Sequence, residues 1–187
     1  NTCGDEPYLL AKRLQGIPII VSEKKTKAIS LAITQFNPNI IILDDGFQSK
    51  YINRDFDIVL FNSLINKKDI NLLPIGKLRE PITALNRSDL VIFTKQNLCD
   101  TQGRYIKKLI SLLKRKNIPI LFANLSTNVM QYNLKTKVLD TNDNNKTNSM
   151  LAFCGVGDFL SFKILIKKLF LNVENIDFIR YVDHYNY

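Results

Sequence analysis

The sequence predicts an α/β protein with a mostly parallel sheet flanked by helices, and a second, smaller α/β domain joined by an extended linker. Three observations predict this fold class. Short runs of Ile, Leu, Val and Phe alternate with longer amphipathic segments, which is typical of βαβ units. The run Ile40-Ile41-Ile42-Leu43 is apolar at every position and so predicts a strand buried on both faces. A polar, turn-rich stretch at residues 140–145 interrupts the alternation and indicates a domain junction.

The first part of the chain predicts a helix, a strand, a second helix and the buried strand. Asp5 can cap the first helix, which has Pro7 in its first turn, and aliphatic residues at helical spacing mark the second. Both strands are short aliphatic runs bounded by polar residues or Pro. The predicted ranges are 6–14, 18–21, 24–36 and 39–43.

The rest of the chain continues the same alternation. Two strands flank a loop over residues 63–88, and a loop of this length in a compact domain tends to be functional. An amphipathic helix and a strand complete the predicted main domain (residues 1–125), and an extended ribbon over 129–139 lies in the predicted linker (126–149). A strand, helix and strand form the start of the smaller domain (150–187). The predicted ranges of these elements are 57–62, 89–94, 104–116, 118–123, 150–154, 158–171 and 175–182.

Composition narrows the class of partner. The 187 residues carry 26 Lys and Arg against 17 Asp and Glu, a net charge of +9. Such an excess suggests an anionic partner: nucleic acid, a phosphorylated substrate or an acidic membrane surface. No nucleic-acid recognition motif is present, which disfavours the first. Three cysteines without a C-x-x-C pair support neither a zinc site nor a disulfide framework, so a reducing cytoplasm is expected.

Asp44 and Asp45 follow the predicted buried strand directly. Carboxylates in that position would lie at the carboxyl edge of the sheet, where open α/β sheets bind ligands and where an Asp of nucleotide hydrolases and kinases helps to hold Mg²⁺. The alternative is that the pair only starts a turn, because Asp-Gly is a common turn dipeptide.

Other charged residues also allow two interpretations. Asp5 and Glu6 could act as a general base and its neighbour, or could simply stabilise a helix start. Arg79 and Glu80 in the long loop could contact phosphate and a metal shell, or form a structural pair. His184 follows Asp183 and is the chain's one histidine, so imidazole chemistry would have to use it.

Two further patterns favour structural roles. The Gly155-Val156-Gly157 turn could cradle a phosphate, but close packing of a helix on a strand is the preferred interpretation. The basic helices predicted over 104–116 and 158–171 could rest on an anionic bilayer. Burial of the apolar face, with the charges left in water, is preferred for both.

Taken in order, these motifs resemble the tetraacyldisaccharide 4'-kinase family, which phosphorylates the lipid A precursor. The resemblance runs from Gly4 to the last residue, and the ordered series is more specific than any one member. The matching segments are Gly4-Asp5-Glu6-Pro7, Asp44-Asp45-Gly46-Phe47-Gln48, Leu73-Pro74, Leu78-Arg79-Glu80-Pro81, Phe93-Thr94-Lys95, Phe153-Cys154-Gly155-Val156-Gly157 and Asp183-His184-Tyr185.

The resemblance implies a P-loop kinase fold, use of ATP and Mg²⁺, and an acylated disaccharide substrate. It implies a peripheral protein at the cytoplasmic, anionic face of the inner membrane, with no nucleic acid and no obligate protein partner. Asp5 would be the catalytic base, paired with His184 and supported by Glu6, while Asp44 and Asp45 would serve the metal. The implied substrate- and phosphate-binding residues are Arg79, Glu80, Gln48 and Lys25.

The chain also departs from the family pattern. Ser49 stands where a His is usual, and Lys25 replaces a common Arg, which keeps the charge but not a bidentate grip. No G-x-x-x-x-G-K-[ST] phosphate loop occurs; in the family it lies upstream of Gly4, so we expect these 187 residues alone to bind ATP poorly. Two alternatives therefore stay open: another P-loop enzyme with a soluble substrate, and a non-catalytic remnant.

Overall fold

The computed structural model describes residues 3–99, 104–133, 138–140 and 148–182. Contacts within the chain divide it into two compact units, Asn1–Asp55 and Phe56–Tyr187. The sequence patterns did not predict a boundary at this point. The predicted division into a main domain, a linker and a smaller domain stays a prediction.

The first unit contains two helices, α1 (Asp5–Arg13) and α2 (Lys25–Phe36). Both match the predicted helices to within one residue, but the cap of α1 is Gly4, not Asp5. Gly4 has a φ of 84°, a backbone conformation that favours glycine, so the helix begins one residue earlier than expected. Asp5 and Glu6 therefore lie inside the first turn, where the helix dipole favours negative charge.

The strands predicted over 18–21 and 39–43 are absent: both segments have irregular backbone. Ile40, Ile41 and Ile42 are 79%, 38% and 91% exposed, so this run is not buried on both faces. An aliphatic run becomes a strand only when another strand accepts and donates its backbone hydrogen bonds. Neither segment has such a partner among the described residues. The expectation that Asp44 and Asp45 close a buried strand is therefore wrong for this structure.

The second unit is built on the predicted parallel sheet. Strand β1 (Ile58–Asn62) pairs with β2 (Leu90–Thr94), which pairs in turn with β3 (Ile120–Phe122). Helix α3 (Arg104–Arg115) connects β2 to β3 and packs its apolar face on the sheet. The core residues that bury this contact are Phe61, Leu85, Val91, Phe93, Ile106, Leu109 and Leu113. This burial confirms α3 as a crossover helix.

The long loop between β1 and β2 is folded rather than extended. It contains two 3₁₀ helices, Lys67–Ile70 and Ile82–Arg87. Between them the backbone doubles back, with Leu73 N–H donating to Leu78 O at 2.9 Å. A Cβ at Gly76 would lie 2.2 Å from Asn71 O, so this turn accepts no side chain at that position.

Beyond β3, strands β4 (Gln131–Asn133) and β5 (Val138–Asp140) form an antiparallel ribbon where extended chain was expected. Strands β6 (Ser149–Cys154) and β7 (Asn175–Arg180) are parallel, and helix α4 (Phe159–Leu169) connects them. This βαβ unit matches the predicted element types. Within the described residues, no helix is both long enough and apolar enough to cross a bilayer.

Candidate functional site

Asp44 and Asp45 lie on a compact turn, residues 43–52, which we name the acidic loop. Both side chains are exposed, and Asp45 has a φ of 51°. Gly46 is buried, and a Cβ there would lie 3.0 Å from Leu43 Cβ, so the backbone packs closely on Leu43. The turn interpretation of Asp-Gly thus describes the backbone correctly, while the chemistry of the two carboxylates stays a prediction.

Lys25 contacts the acidic loop. Its Nζ donates to the backbone O of Asp44 at 3.2 Å, from the first residue of α2. The structure therefore brings together two residues that the sequence analysis assigned to the site. The Lys25 ammonium thus contacts the backbone of the acidic loop beside its carboxylates. Gln48 is exposed on the same loop.

Asp5 and Glu6 are exposed in the first turn of α1. Their assignment as a general base and its neighbour stays a prediction. Asp183 and His184 lie outside the described residues, so the predicted pairing of Asp5 with His184 is likewise untested.

Mg²⁺ is commonly bound through one or two carboxylates together with phosphate oxygens. The described residues contain no group of three or more His, Cys, Asp or Glu side chains that could hold a metal ion by themselves. The adjacent, exposed carboxylates of Asp44 and Asp45 fit a site made of one or two carboxylates and phosphate oxygens. They offer oxygen ligands and leave the other coordination positions to phosphate. These residues are thus compatible with Mg²⁺.

Glu80 pairs with an arginine that the sequence analysis did not select. Arg87 donates to both carboxylate oxygens of Glu80, at 3.0 and 3.2 Å, in a bidentate arrangement. This pair joins the last residue of the 3₁₀ helix Ile82–Arg87 to the loop just before its first residue. Arg79, its sequence neighbour, is exposed.

The sequence analysis also did not predict a polar cluster at the carboxyl ends of β1 and β2. Lys95, in a left-handed conformation directly after β2, donates to the Asp158 carboxylate and, at 2.8 Å, to Ser161 Oγ. Asn62, the last residue of β1, donates to the same carboxylate at 3.0 Å. These contacts join the three-stranded sheet to the amino end of α4. Lys95 stood in a motif and Asp158 at a predicted helix start, but neither pattern indicated that the two would meet.

Asp158 also caps α4, because its Oδ1 accepts the backbone N–H of Ser161 at 3.1 Å. Burial by itself raises the pKa of Asp158, but hydrogen bonds from Lys95 and Ser161 outweigh it and lower the pKa well below its ordinary value. A carboxylate therefore occupies the helix N-terminus that follows the Gly155-Val156-Gly157 turn. A phosphate there would meet negative charge, which disfavours the phosphate-binding interpretation of the turn.

Replacing Lys95 with Met should lower the free energy of unfolding at pH 7. The expected loss is about 1–2 kcal/mol after allowing for solvent screening, since the two side chains are 25% and 35% exposed. Because folding lowers the pKa of Asp158, the wild-type advantage exists above the ordinary carboxyl pKa of about 4 and is lost as pH falls below it.

Urea titrations of wild type and Lys95→Met at pH 7 and at pH 3 measure this difference. Lys167→Met, which removes an exposed lysine from the last turn of α4, serves as the matched control. An equal loss at both pH values would contradict the assignment of the ion pair.

The family model described as tetraacyldisaccharide-1-P 4'-kinase matches residues 1–187 of this chain. A tetraacyldisaccharide 4'-kinase of Aquifex aeolicus is 32% identical over 98% of this chain and 53% of its own length. One from Halothermothrix orenii is 31% identical over the whole chain and 50% of its own length. One from Syntrophotalea carbinolica is 40% identical over 49% of this chain and 26% of its own length.

The chain thus spans about half the length of the full-coverage relatives. No solved structure matches this chain.

Proposed function

Since this chain belongs to the tetraacyldisaccharide 4'-kinase family, we propose that the protein transfers the γ-phosphate of ATP to the 4'-hydroxyl of a tetraacyldisaccharide 1-phosphate. The observation that carries the proposal is the family match across all 187 residues. It includes every residue that the motifs assigned to the site. Membership in the family supports a kinase of lipid A biosynthesis, and the activity, the nucleotide, the acceptor and the residue roles are what we propose.

Phosphoryl transfer depends mainly on positioning and on neutralising charge, with a base that accepts a proton as the hydroxyl attacks. We assign that base to Asp5, supported by His184 and Glu6. Asp5 and Glu6 suit the role because they lie exposed at the start of α1, where a bulky substrate can reach them.

Asp44 and Asp45 are the residues that would hold Mg²⁺. The ion would offset the negative charge of the phosphates, which carboxylates alone would repel. Lys25 Nζ donates to the backbone O of Asp44 at 3.2 Å, and this contact would hold the loop while its carboxylates bind the ion.

The remaining residues of the proposed site are Arg79, Glu80 and Gln48, of which Arg79 and Gln48 would contact substrate or phosphate. The exposure of Arg79 and Gln48 is compatible with this. Glu80 is already bound by Arg87, so its role would be to hold the loop that carries Arg79 rather than to bind metal directly.

The acceptor is a lipid, so the protein would work at a membrane surface. The net charge of +9 would favour an anionic face, and a peripheral location on the cytoplasmic side of the inner membrane fits this chemistry. The exposed cations of α3 contribute to this charge: Lys107, Lys108, Lys114 and Arg115.

A transfer assay tests the proposal. The protein expressed from its complete reading frame is incubated with γ-labelled ATP and the acylated disaccharide 1-phosphate in detergent. The matched control acceptor is the same disaccharide without acyl chains. We expect label in the lipid and little in the deacylated sugar. Label in soluble acceptors would favour the other P-loop enzyme, and no transfer to either would favour the non-catalytic alternative.

A further inference from the structure

We propose that Arg54 is a positioning residue that holds the acidic loop in the conformation needed for phosphoryl transfer. The expected effect of Arg54 on catalysis rests on the proposed function. Its expected effect on the conformation of the acidic loop does not. Arg54 is a residue that the motif analysis did not select.

Arg54 binds two backbone carbonyls of the acidic loop. Its Nη1 donates to Ser49 O at 2.6 Å and to Ile52 O at 2.8 Å. Ser49 and Ile52 are both buried, with 7% and 9% exposure. A buried carbonyl needs a donor, and a charged donor gives a stronger hydrogen bond than a neutral one. Arg54 therefore secures the second half of the loop at two buried residues.

Backbone hydrogen bonds within the loop connect the residues that Arg54 binds to Gly46, next to the acidic pair. Ile52 N–H donates to Ser49 O at 3.0 Å, and Ser49 N–H donates to Gly46 O at 2.9 Å. Gly46 directly follows Asp45, whose left-handed φ of 51° is uncommon for a residue with a side chain. A continuous chain of backbone contacts thus runs from the guanidinium to the acidic pair.

Lys25 binds the other end of the same loop, through Asp44 O at 3.2 Å. Two cations thus bind backbone carbonyls at opposite ends of the acidic loop. This arrangement restrains the backbone that carries the Asp44 and Asp45 side chains. A misplacement of about 1 Å in a phosphoryl-transfer site can cost about 100-fold in rate. Fixing the loop is therefore a catalytic requirement under the proposed function.

Hydrogen exchange and kinetics together test the role of Arg54, on the protein expressed from its complete reading frame. In Arg54→Ala, amides of the acidic loop should exchange about tenfold faster, because two charged hydrogen bonds are lost. The kcat for lipid phosphorylation should fall about 100-fold, with a smaller change in the KM for lipid. Millimolar guanidinium should restore part of both losses. Arg54→Lys should give intermediate exchange rates and an intermediate kcat, because a single ammonium replaces the forked guanidinium.

Arg13→Ala is the matched control, because Arg13 is exposed at the end of α1 in the same unit. It should change neither measurement. Should Arg54→Ala not fold, Arg54→Lys carries the same comparison. Unchanged exchange in a folded Arg54 variant would overturn the proposal, and so would faster exchange with undiminished kcat. If the wild type transfers no phosphate, the proposed function fails, and the exchange data still judge the positioning of the loop.

Discussion

Replacing Asp5 with Asn should lower kcat for lipid phosphorylation by about 100- to 10,000-fold, the range typical for loss of a general base. Asn keeps the size and the hydrogen-bonding reach of the side chain but cannot accept the proton of the attacking hydroxyl. Because Asp5 is exposed in the first turn of α1, the substitution should leave the stability of the protein nearly unchanged. Steady-state kinetics with the acylated disaccharide measure the effect.

The same reasoning applies to His184, where His184→Gln should give a loss of similar size. If the two residues act as a unit, the double variant should be little worse than either single variant. Asp177→Asn, at an exposed position on β7, is the matched control and should keep wild-type kcat. Near-normal turnover in both single variants would refute the assigned roles.

Replacing Asp44 or Asp45 with Asn should produce the second large effect, and it should depend on metal concentration. Under the proposed metal role, each substitution removes one negatively charged oxygen ligand, so the Mg²⁺ concentration for half-maximal activity should rise. At saturating Mg²⁺ a loss of about 100- to 1,000-fold in kcat should remain for the more important of the two, because the charge of the transition state is then less well stabilised.

Activity titrated against Mg²⁺ measures both quantities. Asp55→Asn, an exposed carboxylate in the same unit, is the control and should leave the titration unchanged. An unaltered Mg²⁺ requirement in both Asp44→Asn and Asp45→Asn would exclude the metal role for this pair.

Elements with an internal pattern were predictable from the sequence. Helix α3 has aliphatic residues at helical spacing, and three of them, Ile106, Leu109 and Leu113, form part of the core. Strands β1 and β2 are aliphatic runs separated by chain long enough for a crossover, and they are parallel as predicted. In these elements local propensity and burial favour the same structure.

The run Ile40-Ile41-Ile42-Leu43 shows where local pattern stops being sufficient. Its composition favours a strand, yet strand formation needs a hydrogen-bonded neighbour, which lies elsewhere in the sequence. The predicted strand is not observed, and the interpretation of Asp44 and Asp45 now rests on their exposed turn and on the family match rather than on a sheet edge.

Side-chain pairs across the chain were not predictable at all. Lys95 and Asp158 are 63 residues apart, and no local spacing indicates that a lysine after β2 will meet the cap of α4. Arg87 and Glu80 are closer in sequence, but their pairing depends on the 3₁₀ helix between them, which has no strong sequence signature. Arg54 was overlooked because its contacts with Ser49 O and Ile52 O are to backbone carbonyls, which no pattern of side chains indicates.

The position of the transferred phosphate is the sharpest test of the proposed activity. Phosphorus NMR of the purified product, made by the protein expressed from its complete reading frame with ATP and Mg²⁺, should show one new phosphomonoester correlated with the proton at carbon 4' of the disaccharide. A product phosphorylated at another hydroxyl, or an acceptor recovered unchanged, would contradict it.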